Sequence, residues 1–595
     1  MKNDRYYCYR PQELERLTKV VDTCRTSSQE GGTHVALIEA ASGYGKTRLL
    51  DSLEKYCRSL GSVFCCRGSF DSQEPMAGLL QVLQTLGETL MADDDGKDSS
   101  QDSLDYVWKI PVKQALGTDE HFMQNRVPAL RELLNNDRRR SSFAMINRLS
   151  ETESSEFTDD DDSGYITAYL DWGLDRFRVA FRSLIRQLST HVPIVLILDN
   201  LDQAERDSLE VVRSLLLDKS RKDRQALPGR LVVFATYQPL PAKHLVFKLV
   251  DLIYKEQHKF SQSNDKSLDM PIRSVDAICL EKLQADQVGR IVGDLLEQVG
   301  QEMELLPLVN LLNQVSQGHP QTLTLILRYI YKVLGFIKQD QEKLIWDQAV
   351  LDQTILQSPL ATDAVVRLLI DSLEDNHRLI LSVIALLGNP IFDADTLSSA
   401  LVPDDDEEFD LENHGSSNSS SNMADAFCCH SILSLSRIQR IQKIKSWLAD
   451  IQDLGLIHVV DDIYANPDER EQVEYFEIHY KARKGAHHHL LPEEMDRIHL
   501  VIGRRFNSIM HVNKEMGTYL AESFMFNTVN QMTMASHLVT DRWELLDLVD
   551  LNYQAAEVAT LKCSYYFALQ NLTRSIDIAL RLNDNRMDPG SSQEG

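Results

Sequence analysis

The stretch VALIEAASGYGKTRLL, residues 35–50, decides the fold. Its first part, VALIEA (35–40), is a short apolar run and reads as a buried strand. AASGYGKT (Ala40 to Thr47) follows as a glycine-rich turn, and a helix is expected from about Lys46 to Leu60. Strand, turn and helix in this order fit the P-loop pattern, with Ala40 in place of its first glycine. The chemistry explains the spacing. Gly43 and Gly45 let backbone N–H groups turn inward around phosphate oxygens. Lys46 brings a positive charge to the β and γ phosphates, and the Thr47 hydroxyl can ligate Mg²⁺. The helix that starts there adds its N-terminal dipole. Ala40, Ser42, Tyr44 and Arg48 complete the expected nucleotide-binding stretch, and the expected cofactors are ATP and Mg²⁺.

A second motif lies downstream. VLILDNLD (195–202) is an apolar strand ending in an acid, which puts the Asp199 carboxylate at the C-terminal end of a sheet strand. From there Asp199 can hold Mg²⁺ through water. Asn200 follows it and cannot take a proton as a carboxylate can. Asp202 and Glu205 are the nearby acids that can stand in as catalytic groups. Thr236, at the end of RLVVFATY, is either a γ-phosphate sensor or an ordinary strand-end threonine.

Outward from these motifs, helices are expected over 11–30, 75–91, 169–190 and 205–217, and further strands at SVFCCRGSF and RLVVFATY. Strands alternating with helices imply a parallel, doubly wound sheet. Residues 92–103, 137–164 and 403–430 are polar, charged and poor in aromatics, and are expected to be disordered insertions. From Leu283 onward the pattern is mainly helical, with no strict repeat period.

Composition narrows the function classes. The chain has 595 residues, 43% of them hydrophobic and 25% charged, enough for three or four domains. Its formal charge is −27, from 62 basic and 89 acidic side chains, which disfavours nucleic acid and anionic membranes as partners. Nine scattered cysteines without C-x-x-C spacing read as reduced thiols. The polar start MKNDRYYCYRPQELERL is unlike a secretory signal, and no apolar run is long enough to span a bilayer. A soluble, cytoplasmic protein is expected.

The order of the motifs resembles the STAND class of signal-transduction P-loop ATPases, relatives of the AAA and Orc1-like ATPases. YRPQELERL (9–17) looks like that family's entry motif, RGSFD (67–71) with Pro75 like its Gly-Lys-Phe-Asp segment, and DNLDQAE (199–205) like its Asp-Asp-Leu-Gln-Trp-Ala-Asp. RFRVAFRSLIRQLS (176–189) leads into the acid strand as it does there, and GHP (318–320) resembles the motif whose proline, here Pro320, lies against the nucleotide base. FEIHYKARKGA (476–486), RIHLVIGRRF (497–506), FNTVNQMTMASHLV (526–539) and LNYQAAEVATLKCSYYFAL (551–569) are similar to one subgroup, the ATPase region of large signalling kinases, including hybrid histidine kinases. Soluble adenylyl cyclases carry a more distant version.

The resemblance implies four parts: a P-loop ATPase domain over 1–255, a helical subdomain over 275–345, a winged-helix-like domain over 365–480 and a helical repeat-like region over 485–595. It also implies a nucleotide-dependent switch or scaffold that meets protein partners, a signalling kinase among them, through its C-terminal helices. An ATP-dependent homo-oligomer is a further expectation. Two departures point to slow hydrolysis: the family's second acid is Asn200 here, and its arginine after the sensor strand is Gln238. The rival readings are an active Orc1/AAA-like ATPase that assembles or remodels a partner, and a scaffold with a vestigial site. His487–His489 suit a solvated turn better than a metal site. RRRSS (138–142) and ESSEFTDDDD (153–162) look like kinase substrates.

Overall fold

The computed structural model describes residues 10–26, 32–70, 76–95, 107–135, 163–217, 229–262, 272–296, 302–340, 343–356, 362–387, 391–401, 432, 435–460, 474–516 and 520–584. It divides into two units. One holds the described residues up to Glu281 together with Glu557–Leu569, and the other holds the described residues of Lys282–Ala556 and from Gln570 onward.

In the first unit the order is α1 (Pro11–Thr26), β1 (Gly32–Glu39), α2 (Lys46–Ser59), β2 (Phe64–Ser69), α3 (Ala77–Asp95), α4 (Lys109–Leu116), α5 (Glu120–Gln124), α6 (Pro128–Asn135), α7 (Ser163–His191), β3 (Ile194–Asp199), α8 (Arg206–Leu217), β4 (Arg230–Tyr237), α9 (Leu245–Gln262) and β5 (Ile272–Cys279). The five strands form one parallel sheet in the order β2-β3-β4-β1-β5. Because helices cover both faces, the inner strands are apolar throughout, and alternate residues feed two separate cores. Val35, Leu37, Leu196, Leu198, Val233 and Ala235 pack on one side with α3, α7 and α8. Ala36, Ile38, Val195, Ile197, Val232 and Phe234 pack on the other with α1 and α2.

The doubly wound α/β core is thus as the alternation predicts. The apolar pattern of the sequence does not announce α4–α6, α9 or β5. The first three are short, with Gly117 and Pro128 breaking the run into pieces of eight, five and eight residues, too brief for a helical period to stand out. Edge strand β5, IRSVDAIC, is half-buried along most of its length and carries Arg273, Ser274 and Asp276, so it never reads as an apolar run. Helix α3 continues to Asp95, into the start of the expected 92–103 insertion, and α7 begins at Ser163. Residues 96–103, 137–162 and 403–430, with the two kinase-substrate motifs, lie outside the described residues.

The second unit is mostly helical. It opens with α10 (Ala285–Leu295), α11 (Glu302–Ser316) and α12 (Pro320–Arg328). The GHP motif forms the tight entry to α12. Gly318 has φ 72° and its carbonyl accepts from Leu283 N–H at 2.8 Å. A Cβ there would meet the Leu283 carbonyl oxygen at 2.4 Å, so only glycine fits. His319 caps the helix by accepting from Thr322 N–H, and Pro320 takes the first helical position, where its missing N–H costs nothing. A two-stranded hairpin, β6 (Ile337–Asp340) with β7 (Lys343–Trp346), follows.

Next come α13 (Gln348–Leu356), α14 (Thr362–Asp371), α15 (Asp375–Leu387), β8 (Ile391–Asp393) and α16 (Ala394–Leu401). After them stand the helix Arg437–Asp453 and strands β9 (Ile457–Val460) and β10 (Tyr475–Ile478). These strands make a small antiparallel sheet in the order β8-β10-β9. His487 and His488 stand in the last turn of the helix Tyr480–His488, and His489 caps it. Helices Pro492–Met516, Leu520–Met534, Arg542–Leu561 and Tyr565–Asp584 follow, apart from Glu557–Leu569, which belongs to the first unit, and the last three share a core of Met532, Leu548 and Ile578. No helix among the described residues is long and apolar enough to cross a membrane.

Candidate nucleotide site

The loop between β1 and α2 takes the shape its glycines allow. Gly43 and Gly45 have φ of 81° and 87°, the left-handed region that an L side chain resists. At Gly45 an added Cβ would meet nothing within 4 Å, so the requirement is conformational and not one of space. Gly45 is also the residue that caps α2, and no side chain occupies that cap. The first backbone N–H groups of this 14-residue helix therefore have no intrahelical acceptor. They are the donors a phosphate needs.

Lys46 is buried, and its ammonium folds back on its own loop, donating to the carbonyls of Ala40 at 2.6 Å and Ala41 at 3.2 Å. Burial lowers its pKa, while Asp202 and Asp199 pull it back up. The lysine thus sits in the field of both acids. Thr47 is exposed at the start of α2. Ala40 is buried, while Ser42, Tyr44 and Arg48 are half-buried around the loop.

β4 lies between β1 and β3, so the loop strand and the acid strand are separated by the strand that carries Thr236. Asp199 is only 2% exposed. Its Oδ1 accepts from the Thr236 hydroxyl at 2.5 Å and from Asn200 N–H at 3.1 Å. Asn200 N–H also donates to Thr236 Oγ1 at 3.0 Å. Asn200 adopts φ 56°, a left-handed conformation that asparagine tolerates better than most residues. Hard oxygen donors at Asp199 and Thr47 are the kind magnesium prefers, so the residues present fit that ion.

The other candidates separate. Asp202 Oδ1 accepts from the backbone N–H of Gln238 at 3.2 Å, tying the acid loop to the end of β4. Glu205 Oε1 accepts from Met76 N–H at 2.7 Å and from Ser208 at 3.2 Å, and its Oε2 from the Ser564 hydroxyl at 2.7 Å. Burial pushes its carboxyl up to about 7, against the pull of those hydrogen bonds. Glu205 is thus engaged with the start of α3 and with the 557–569 segment. Pro320 belongs to the other unit, at the N-terminus of α12.

Two arginines at the site escaped the motif reading. Arg10, buried, donates from Nε and Nη2 to the Tyr44 carbonyl at 3.3 and 3.2 Å, and from Nη2 to the Glu281 carbonyl at 2.6 Å. It clamps the loop to the chain that leaves β5. Arg67, on β2, donates from Nη2 to Asp199 Oδ2 at 2.9 Å and from Nη1 to Asp51 at 2.6 Å and Glu54 at 3.2 Å. Both stand inside quoted motifs, YRPQELERL and RGSFD. Their partners lie 34 and 132 residues away, and no local spacing announces such a pairing.

Residues 8–233 match the family model of the AAA ATPase domain. No curated protein matches the chain. Among solved structures, the ORC2 protein of Aeropyrum pernix in its ADPNP–ADP complexes is 12% identical, with 86% of this chain and 98% of that one covered and a TM-score of 0.31. Cdc6p of Pyrobaculum aerophilum is 10% identical over 84% of this chain and 96% of that one, with a TM-score of 0.29. The Drosophila ORC bound to DNA is 14% identical over 80% of this chain and 92% of that one, with a TM-score of 0.25. The AAA-type P-loop assignment of the α/β unit rests on the domain match and on the site geometry.

Proposed function

We propose that this protein is an ATP-binding regulatory module of the STAND type, a nucleotide-dependent switch or scaffold that binds Mg-ATP far better than it hydrolyses it. The observation that carries the reading is the pairing of a complete phosphate loop with an incomplete hydrolytic apparatus. Lys46, the uncapped N-terminus of α2 and the buried Asp199 supply what capture needs. When bound, magnesium would neutralise phosphate charge from Thr47 and Asp199. Hydrolysis also needs a group that takes a proton from water and a cation that stabilises charge in the transition state. Asn200 holds the place after the acid without a carboxylate. Of the stand-in acids, Glu205 is occupied by Met76, Ser208 and Ser564, and Asp202 holds Gln238 N–H.

The finer architecture belongs to the same reading. The three-stranded antiparallel sheet with α15, α16 and the helix Arg437–Asp453 suits a winged helix, here a packing module. The helix Tyr565–Asp584 exposes Ile576 and Leu580, each more than half accessible, on one face. That face and the 74%-exposed Trp543 support protein partners at the C-terminal helices, a signalling kinase among them. A cytoplasmic location and ATP-dependent self-association fit this role.

The rival reading is an active Orc1/AAA-like ATPase that remodels a partner, favoured by the AAA domain match. Single-turnover hydrolysis separates the two. The native protein should turn over slowly, and Asn200→Asp with Gln238→Arg should speed it by on the order of 10²-fold. Native turnover of several per second would favour the remodelling enzyme, and no gain in the double variant would mean that positions 200 and 238 do not hold these roles.

A further inference from the structure

Asp199 is the acid on which the nucleotide reading turns, and it already has a cation. Thr236 and Asn200 satisfy its Oδ1, and Arg67 takes its Oδ2. The arginine is placed by strand register. β2 runs parallel beside β3 with Ser69 opposite Asp199 and Arg67 opposite Ile197, so the long Arg67 side chain reaches forward to the end of the acid strand. Its other nitrogen, Nη1, faces α2, the helix into which the phosphate loop opens, and rests between Asp51 and Glu54. Burial works against the Arg67 charge, but Asp199, Asp51 and Glu54 together hold it firmly protonated.

We propose that Arg67 is a positioning residue that holds the Asp199 carboxylate in place of a divalent cation, so that metal engagement at Asp199 requires Arg67 to shift onto Asp51 and Glu54. The inference rests on the nucleotide reading above and deepens it. A carboxylate oxygen that accepts a guanidinium hydrogen bond has less to give a metal ion or its water shell, so the two cations compete. Release does not strand the guanidinium, since it keeps two carboxylates on α2. Asp51 is half-exposed and has room to follow, whereas Glu54 is also held by Arg58 at 2.6 Å. With Arg67 in place, Asp199 is neutralised even without metal, and a nucleotide's phosphates do not face a bare carboxylate. Nucleotide affinity should therefore depend only weakly on Mg²⁺.

The test is nucleotide affinity of the full chain, read with a fluorescent ATP analogue in excess Mg²⁺ and in EDTA, without reference to turnover. The native protein should lose no more than about threefold on metal removal, and Arg67→Gln about thirtyfold or more, because the two cations are thermodynamically linked through one carboxylate. Arg67→Lys, which keeps a cation there, should stay near the native ratio. Asp51→Asn removes one landing place, so the Mg²⁺ concentration for half-maximal effect should rise about threefold. It also serves if Arg67→Gln does not fold. An equal metal dependence in native protein and Arg67→Gln overturns the proposal, as does an Asp51→Asn variant with native Mg²⁺ response. A native protein that binds no nucleotide in either condition overturns the nucleotide reading itself, and this inference with it.

Discussion

The phosphate loop and the acid loop solve the same problem in opposite ways. Each holds a buried charge, Lys46 in one and Asp199 in the other. Lys46 is satisfied locally, by carbonyls five and six residues back in its own turn. Besides the adjacent Asn200 N–H, Asp199 is satisfied by residues far off in sequence, Thr236 on one neighbouring strand, β4, and Arg67 on the other, β2. A charge held by its own loop can be read from spacing. One held by neighbouring strands that are remote in sequence depends on the assembled sheet.

The sharpest way to break this comparison is at the local end. Lys46→Ala removes the only side-chain cation that the loop itself supplies, and nucleotide affinity should fall by about 100-fold or more. Titration with the fluorescent analogue reads the loss. The α/β fold should survive, because the partners left behind are two loop carbonyls. Unchanged affinity would remove the loop from the binding site.

At the distant end, Thr236→Val keeps the shape of a fully buried side chain and deletes one hydroxyl. That hydroxyl donates to Asp199 and accepts from Asn200 N–H, so its loss leaves a buried carboxylate short of a partner. Urea unfolding should show a loss of about 1–3 kcal/mol. A loss below that range would mean that Arg67 and the Asn200 N–H suffice to hold the acid.

The smallest effect concerns Glu205, whose carboxyl burial raises from 4.5 to about 7. Between those values the folded protein keeps a proton that the unfolded chain has released, so stability falls as the pH rises through this window. The penalty is complete above about 7. Glu205→Gln should therefore stabilise the protein at pH 8 by about 1–2 kcal/mol and leave it nearly unchanged at pH 4. Thermal melts at the two pH values decide it, and equal shifts at both would mean that the carboxyl is not perturbed.

The same contrast explains what could be read from the sequence. VALIEA, VPIVLILD and RLVVFATY announced their strands because a parallel sheet covered on both faces needs unbroken apolar runs. The glycines at 43 and 45 announced the loop because their backbone angles are closed to other residues. Strand β5 stayed hidden because an edge position tolerates Arg273 and Asp276. The β6–β7 hairpin stayed hidden too, since IKQD and KLIW are only four residues each. In the site, Lys46 and Asp199 were legible and Arg10 and Arg67 were not. A guanidinium's role is set by which strands become neighbours, and strand order is not written in local spacing. Glu205 shows the converse. Proximity in sequence suggested a catalytic stand-in, but its side chain turns toward Met76 and Ser564.

The strand order has a mechanical meaning of its own. With β4 inserted between β1 and β3, the roots of the lysine loop and the acid stand two inter-strand steps apart, roughly 9.5 Å. Such a gap is a gauge block. Backbone hydrogen bonds set it on both sides, so no rotamer can widen or narrow it, and only twisting the sheet changes it. Whatever spans the interval must match its length or borrow reach from the long side chains at either end.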